Sequence, residues 1–142
     1  MTETLIVYPA FIQVLLTFAL CIWMGKLRFG QVAAGTVQVK QIGARTAAWE
    51  DKTVRVELAF YNQFQVPILF FGACAFLTIY HQVNTLTVIL AWVFVGSRII
   101  QIYSHAISNN VKLRFVSFLV GFLSILGMWG YLVYILANGA LS

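Results

Sequence analysis

Residues 86–107 read LTVILAWVFVGSRIIQIYSHAI. The run is apolar enough to cross a bilayer, yet it carries Arg98, Gln101 and His105. Spacings of three and four residues place these side chains on one face of a helix. Burying an arginine in hydrocarbon costs at least about 2.5–3.5 kcal/mol, so Arg98 is expected to face protein, water or a ligand. The stretch therefore predicts both a membrane-spanning helix and a polar site within it.

Three further apolar runs accompany it: about Leu5–Met24, Val54–Tyr80 and Phe115–Ala137. Each approaches the roughly 20 residues that a spanning helix needs. They occupy most of the 142 residues, of which 61% are hydrophobic and only 9% charged. An ordinary soluble domain carries about 25% charged residues, so that class is excluded. The expected architecture is all-α: one integral-membrane domain over residues 1–142, an up-down bundle of four transmembrane helices near 5–25, 54–80, 86–108 and 114–138. The first run lacks a basic leader and a small-residue cleavage site, so it reads as a retained helix.

Charge placement orients the bundle. Lys26, Arg28, Lys40, Arg45, Lys52 and Arg55 lie between or at the ends of the first two runs, and Lys112 and Arg114 lie between the last two. The opposite connection, His81–Thr85, has no Lys or Arg. The positive-inside rule then makes the first and third connections cytoplasmic and puts both termini outside. The net charge of +5 is accounted for by topology and calls for no nucleic-acid partner. Cys21 and Cys74 are isolated thiols expected to be buried packing residues, and His81 and His105 stand near opposite faces, too far apart to share a metal.

Polar residues concentrate at the basic end. The second helix enters with Arg55, Glu57, Tyr61, Asn62, Gln63 and Gln65, then turns apolar after Pro67; the third runs in reverse order. At 1.5 Å per residue, Asn62 and Gln65 lie about 12 and 16 Å along the second helix, and Gln101 and Arg98 about 10 and 15 Å along the third. This levels Arg98 with Gln65 and Gln101 with Asn62. Pro67 is expected to bend the second helix, with Asn62 or Gln63 side chains satisfying a freed carbonyl. Glu57 is the one nearby countercharge to Arg55, Arg98 and Arg114, so the pocket is cationic and suits an anion.

In the first helix Gln13, Thr17, Cys21 and Gly25, and in the fourth Ser117, Gly121, Ser124 and Gly127, form lines of small or polar residues expected at helix contacts. The connection from Gly30 to Lys52 reads as a loop. No catalytic Ser/His/Asp set, phosphate-binding glycine loop or carboxylate pair is present, so any reactive group is expected to come from a bound ligand.

The string Asn62-Gln63-Phe64-Gln65-Val66-Pro67-Ile68-Leu69-Phe70 followed by Arg98-x-x-Gln101-x-x-x-His105 resembles the MAPEG superfamily, the membrane-associated proteins in eicosanoid and glutathione metabolism, in its bacterial-type members. The resemblance implies a homotrimer in a bacterial inner membrane, with glutathione as cosubstrate in the cytoplasmic leaflet and a hydrophobic small molecule arriving through the lipid. It implies a glutathione transferase or peroxidase, with a non-catalytic lipid-binding or scaffold protein as the alternative and a small transporter as a weaker third. By position, Arg114, with Arg98 assisting, would stabilise the thiolate. Arg55, Asn62, Gln65, Gln101 and His105 would hold the glutathione or another anionic thiol. Leu58 stands where the glutathione enzymes carry arginine, and Gln65 where they carry an acid.

Overall fold

A computed structural model describes residues Thr2 to Gly139. Among them the regular elements are helical: α1 (Thr2–Leu5), α2 (Val7–Ala33), α3 (Val39–Gly43), α4 (Asp51–Tyr61), α5 (Val66–Ile79), α6 (Thr85–Tyr103) and α7 (Val111–Ala137), with a 3₁₀ turn at Asn62–Phe64 and a π turn at Ser104–Ser108. They assemble four spans long and apolar enough to cross a membrane, Thr2–Ala33, Asp51–Ile79, Thr85–Ser108 and Val111–Ala137. The chain is thus an all-α, multi-pass integral membrane protein.

Local sequence sets the helix starts. Asn84 caps α6 by accepting from the Thr87 amide at 3.0 Å, and Thr87 Oγ1 returns the bond by accepting from the Asn84 amide. Asn110 caps α7 through the Leu113 amide at 3.1 Å. Between these helices the chain turns at Asn109, whose φ of 50° lies in the left-handed region that asparagine tolerates better than most residues.

Two apolar clusters fill the bundle. The larger, distal to the basic connections, centres on Phe70, Leu77, Phe94, Ile125 and Met128, with Phe70 and Phe94 stacked at 4.4 Å. A smaller one, Leu20, Val56, Ala59 and Ala106, packs at the basic end. Outward residues such as Phe11, Phe18, Leu123 and Val133 are exposed, the arrangement expected where lipid is the solvent.

The small-residue line of the fourth span lies at the α6–α7 contact. Ser117, Gly121 and Ser124 are buried. A Cβ on Gly121 would clash with Ser97 Oγ, and one on Gly127 would meet Leu90 at 3.2 Å. Because the Ser97 hydroxyl is engaged with the Phe94 carbonyl at 2.6 Å, relief requires breaking that bond or separating the helices. Gly121→Ala is expected to destabilise by about 1–3 kcal/mol, as overpacking does. The check is chemical or thermal unfolding in detergent beside Ser97→Ala/Gly121→Ala, which should recover much of the loss.

Several details depart from the expected pattern. The first span continues as helix to Ala33, well past Met24, because amphipathic residues 25–33 keep helical geometry after leaving the apolar layer. Its line of small residues splits: Gln13 is buried, while Cys21 and Gly25 are exposed on this chain. Cys74 is buried. The first connection contains the short helix α3 and is pinned. Gln31 donates to Thr53 Oγ1, and Gln31 Oε1 accepts from the Glu50 amide at 3.0 Å.

The second span is interrupted rather than bent. After the 3₁₀ turn, Gln65 leaves helical geometry (φ −98°, ψ −102°) and Pro67 stands in the first turn of a new helix, α5. Proline lacks an N–H and disfavours helical backbone before it, so a helix start is its natural place. The break is sealed by side chains, as buried polar backbone in a membrane requires. Gln63 Nε2 donates to the Ala59 carbonyl at 2.9 Å, and Gln13 Nε2 from the first span donates to Gln63 Oε1 at 2.6 Å.

Candidate functional site

The interrupted span and the π turn face each other at the basic half of the bundle. Arg98, only 2% exposed, sends Nη2 to the main-chain carbonyl of Asn62 at 3.1 Å, with its guanidinium 5.8 Å from the Phe94 ring. The Asn62 side-chain amide lies 3.1 Å from Nε2 of His105, and Nη1 of Arg114 makes a longer 3.4 Å contact with Nδ1 of the same ring. His105 thereby ties the break in the second span to the first turn of α7.

Both side chains that face the imidazole nitrogens present donors. A guanidinium can only donate, and the Asn62 atom facing Nε2 is its amide nitrogen Nδ2, also a donor, so a protonated ring would meet donors on both sides and a neutral ring accepts from one of the two. The ring is neutral in this arrangement. It adds no third positive charge between the two arginines. Both ring nitrogens are contacted by side chains of the protein, Nε2 by Asn62 and Nδ1 by Arg114.

Donors and acceptors remain unused. Arg98 Nε, Arg114 Nε and Gln101 Oε1 are buried without hydrogen-bond partners, and Gln101 is only 5% exposed. Gln101 and Arg114, with Val111, Phe115 and Phe118, line a cavity of about 380 Å³. One wall is apolar and the other presents a cation and an amide. Among the described residues no carboxylate lies within ion-pair distance of Arg98 or Arg114.

Glu57 does not serve as their countercharge. It pairs with Arg28 of the first span. Arg55 contacts Asp51 of its own helix at 3.2 Å. Gln65 is exposed, and Arg98 is paired with the Asn62 carbonyl rather than with it, because the break at residues 62–65 removes the helical register on which that pairing rested. Asn62, Arg98, His105 and Arg114 are therefore joined, with Gln101 on the adjoining cavity, while Arg55 and Gln65 are not bonded to the cluster. Reading by composition missed the pairing roles of Arg28 and Gln31; it placed Gln13 at a helix contact, where it meets Gln63, but named no partner for it. No group of three or more metal-binding side chains occurs among the described residues.

A four-span bundle with a broken second helix and arginines facing it across the basic half defines a class of membrane protein. The sequence model of the MAPEG family matches residues 6–134, and the chain belongs to that family. Its members include glutathione transferase- and peroxidase-like proteins as well as non-catalytic ones. No curated protein and no solved structure matches the chain.

Proposed function

We propose that this protein uses glutathione to conjugate or reduce lipophilic electrophiles in the membrane. One observation carries the reading: Arg98 and Arg114 belong to one bonded cluster, with Arg114 and Gln101 lining a cavity beside it, and among the described residues it has unused buried donors and no carboxylate to neutralise it. An anion completes such a cluster. A thiol has an ordinary pKa near 8.5, and nearby positive charge in a partly dehydrated pocket favours its thiolate. The thiol proton leaves to water, and the Arg114 guanidinium offsets the charge on sulfur. The sulfur lone pair then forms the bond to an electrophilic carbon as the leaving group departs with its electron pair. With a peroxide, sulfur attacks oxygen, the O–O bond breaks to release an alcohol, and a second glutathione converts the sulfenic acid to disulfide and water.

Arg114 is the catalytic residue in this scheme, assisted by Arg98. Asn62 and Gln101 orient the peptide, and His105 holds Arg114. Arg55 and Gln65, which do not line that cavity, are the further residues assigned to the peptide. The basic connections face the cytoplasm, by the charge rule, and the working unit is a homotrimer. The Gln101–Arg114 cavity opens onto exposed Phe115, a surface that a neighbouring copy would cover. The hydrophobic cosubstrate arrives from the bilayer along the same apolar wall.

The test is turnover by purified protein in liposomes with glutathione and either an aryl halide or a lipid hydroperoxide. Turnover saturable in glutathione is expected. Its absence with both electrophiles in folded protein contradicts the proposal. A non-catalytic lipid-binding role is the second reading, favoured by Leu58, which is 49% exposed where a glutathione-binding arginine is wanted, and by the outward Gln65. Recovery of bound lipid without thiol binding selects it.

A further inference from the structure

The first connection closes over a second concave site. Arg28, Ile42, Arg45, Trp49, Glu57 and Tyr61 line a pocket of about 570 Å³, within the range of small-molecule sites. Its walls are fixed by bonds already described, since Gln31 clamps both ends of the connection to the start of α4. Val37, 2% exposed, anchors the connection further, its amide reaching the Gln31 carbonyl. None of the lining residues belongs to the Asn62–Arg98–His105–Arg114 cluster.

The charges of this pocket do not cancel. Arg28 is held from two sides, by the Glu57 carboxylate and by the Trp49 ring at 5.2 Å. Arg45 has no carboxylate within ion-pair distance among the described residues. It stands just after α3 at φ 56°, with turn bonds from its own amide to the Ile42 carbonyl at 3.1 Å and from the Thr46 amide to the Gln41 carbonyl at 2.8 Å. One cation in a walled, aromatic pocket is thus left over.

Depth narrows the occupant. Arg28 lies about 6 Å along the helix beyond Met24, where the apolar run of the first span ends. That is the level of lipid headgroups. Trp49 and Tyr61 are residues that favour this layer, and Phe29, Val39 and Ile42 expose apolar side chains at the same end. We infer that the pocket formed by Arg28, Arg45, Trp49 and Tyr61 binds a phosphate-bearing headgroup, with Arg45 as its principal anion contact.

The experiment titrates the full-length protein in neutral detergent with dihexanoyl phosphatidylglycerol or with inorganic phosphate and follows the melting temperature. A saturable shift is expected, weakened roughly fivefold in Arg45→Ala, from the usual contribution of one basic residue to an anionic surface. Arg45→Lys should retain most of it, and Lys40→Ala, outside the pocket, all of it. Arg45 is exposed, so its replacement should leave the unliganded melting temperature unchanged. A shift with the lipid alone identifies a membrane phospholipid, whereas competition by inorganic phosphate identifies a soluble phosphate ester. No saturable shift, or the same shift in Arg45→Ala as in the wild type, overturns the inference. Glutathione turnover does not involve Arg45, so either result leaves the proposed function to its own test.

Discussion

Arg114→Ala is expected to lower glutathione-dependent turnover by about two to three orders of magnitude, the usual cost of removing one preorganised donor from a developing negative charge. The side chain enters the site from the first turn of α7, contacts His105 Nδ1 through Nη1, and keeps a buried Nε without a partner. It is half-buried, so a charge there acts in a less screened environment than at an open surface. Losing it should raise the apparent pKa of the bound thiol, moving the rising limb of the pH–rate profile to higher pH. Folding should be little affected, because no carboxylate depends on Arg114. An unchanged pH profile at normal expression removes Arg114 from the mechanism.

Arg98→Met is expected to do two opposite things. The arginine is the largest side chain among the fully buried ones, and its described hydrogen bond is to the Asn62 carbonyl alone. A buried cation without a counter-ion stores a desolvation cost of several kcal/mol, and a well-packed apolar replacement can relieve it. Methionine approximates the length of the arginine stem and adapts its shape. The variant should therefore unfold at higher denaturant, by about 1–3 kcal/mol, while glutathione binding weakens by at least tenfold, the loss of one charge-assisted contact. Equilibrium unfolding in detergent beside glutathione titration separates the two. If the variant proves less stable and binds normally, Arg98 is helix-joining structure rather than part of a ligand site.

How far this was legible from sequence depends on the distance over which each feature is encoded. Spans are encoded locally, and the apolar runs located all four. The fourth-span contact was legible too, because Ser117, Gly121 and Ser124 repeat at helical spacing and small residues permit close approach. Levelling by helical rise set Arg98 against Gln65 and Gln101 against Asn62, whereas Arg98 reaches the Asn62 carbonyl and the Asn62 side chain reaches His105. It erred at Gln65, since the rise assumes one continuous helix while residues 62–65 leave it. The π turn at Ser104–Ser108 is a similar case: its wider winding delivers His105 between Asn62 and Arg114, and no spacing rule announces it. The Glu57 partner was hidden for another reason. Hydropathy stops the first helix at its charges, whereas the backbone stays helical to Ala33 and carries Arg28 to Glu57. Consequently the surplus cation at Arg98 and Arg114 is larger than composition suggested.

The central claim is that this surplus holds a thiolate. Titration of the purified protein with glutathione, followed by thiolate absorbance in the ultraviolet, tests it most directly. The account predicts a saturable band at neutral pH with near one thiolate per occupied site. Folded protein that develops no such band at millimolar glutathione contradicts it, and the arginine cluster must then serve a different anion.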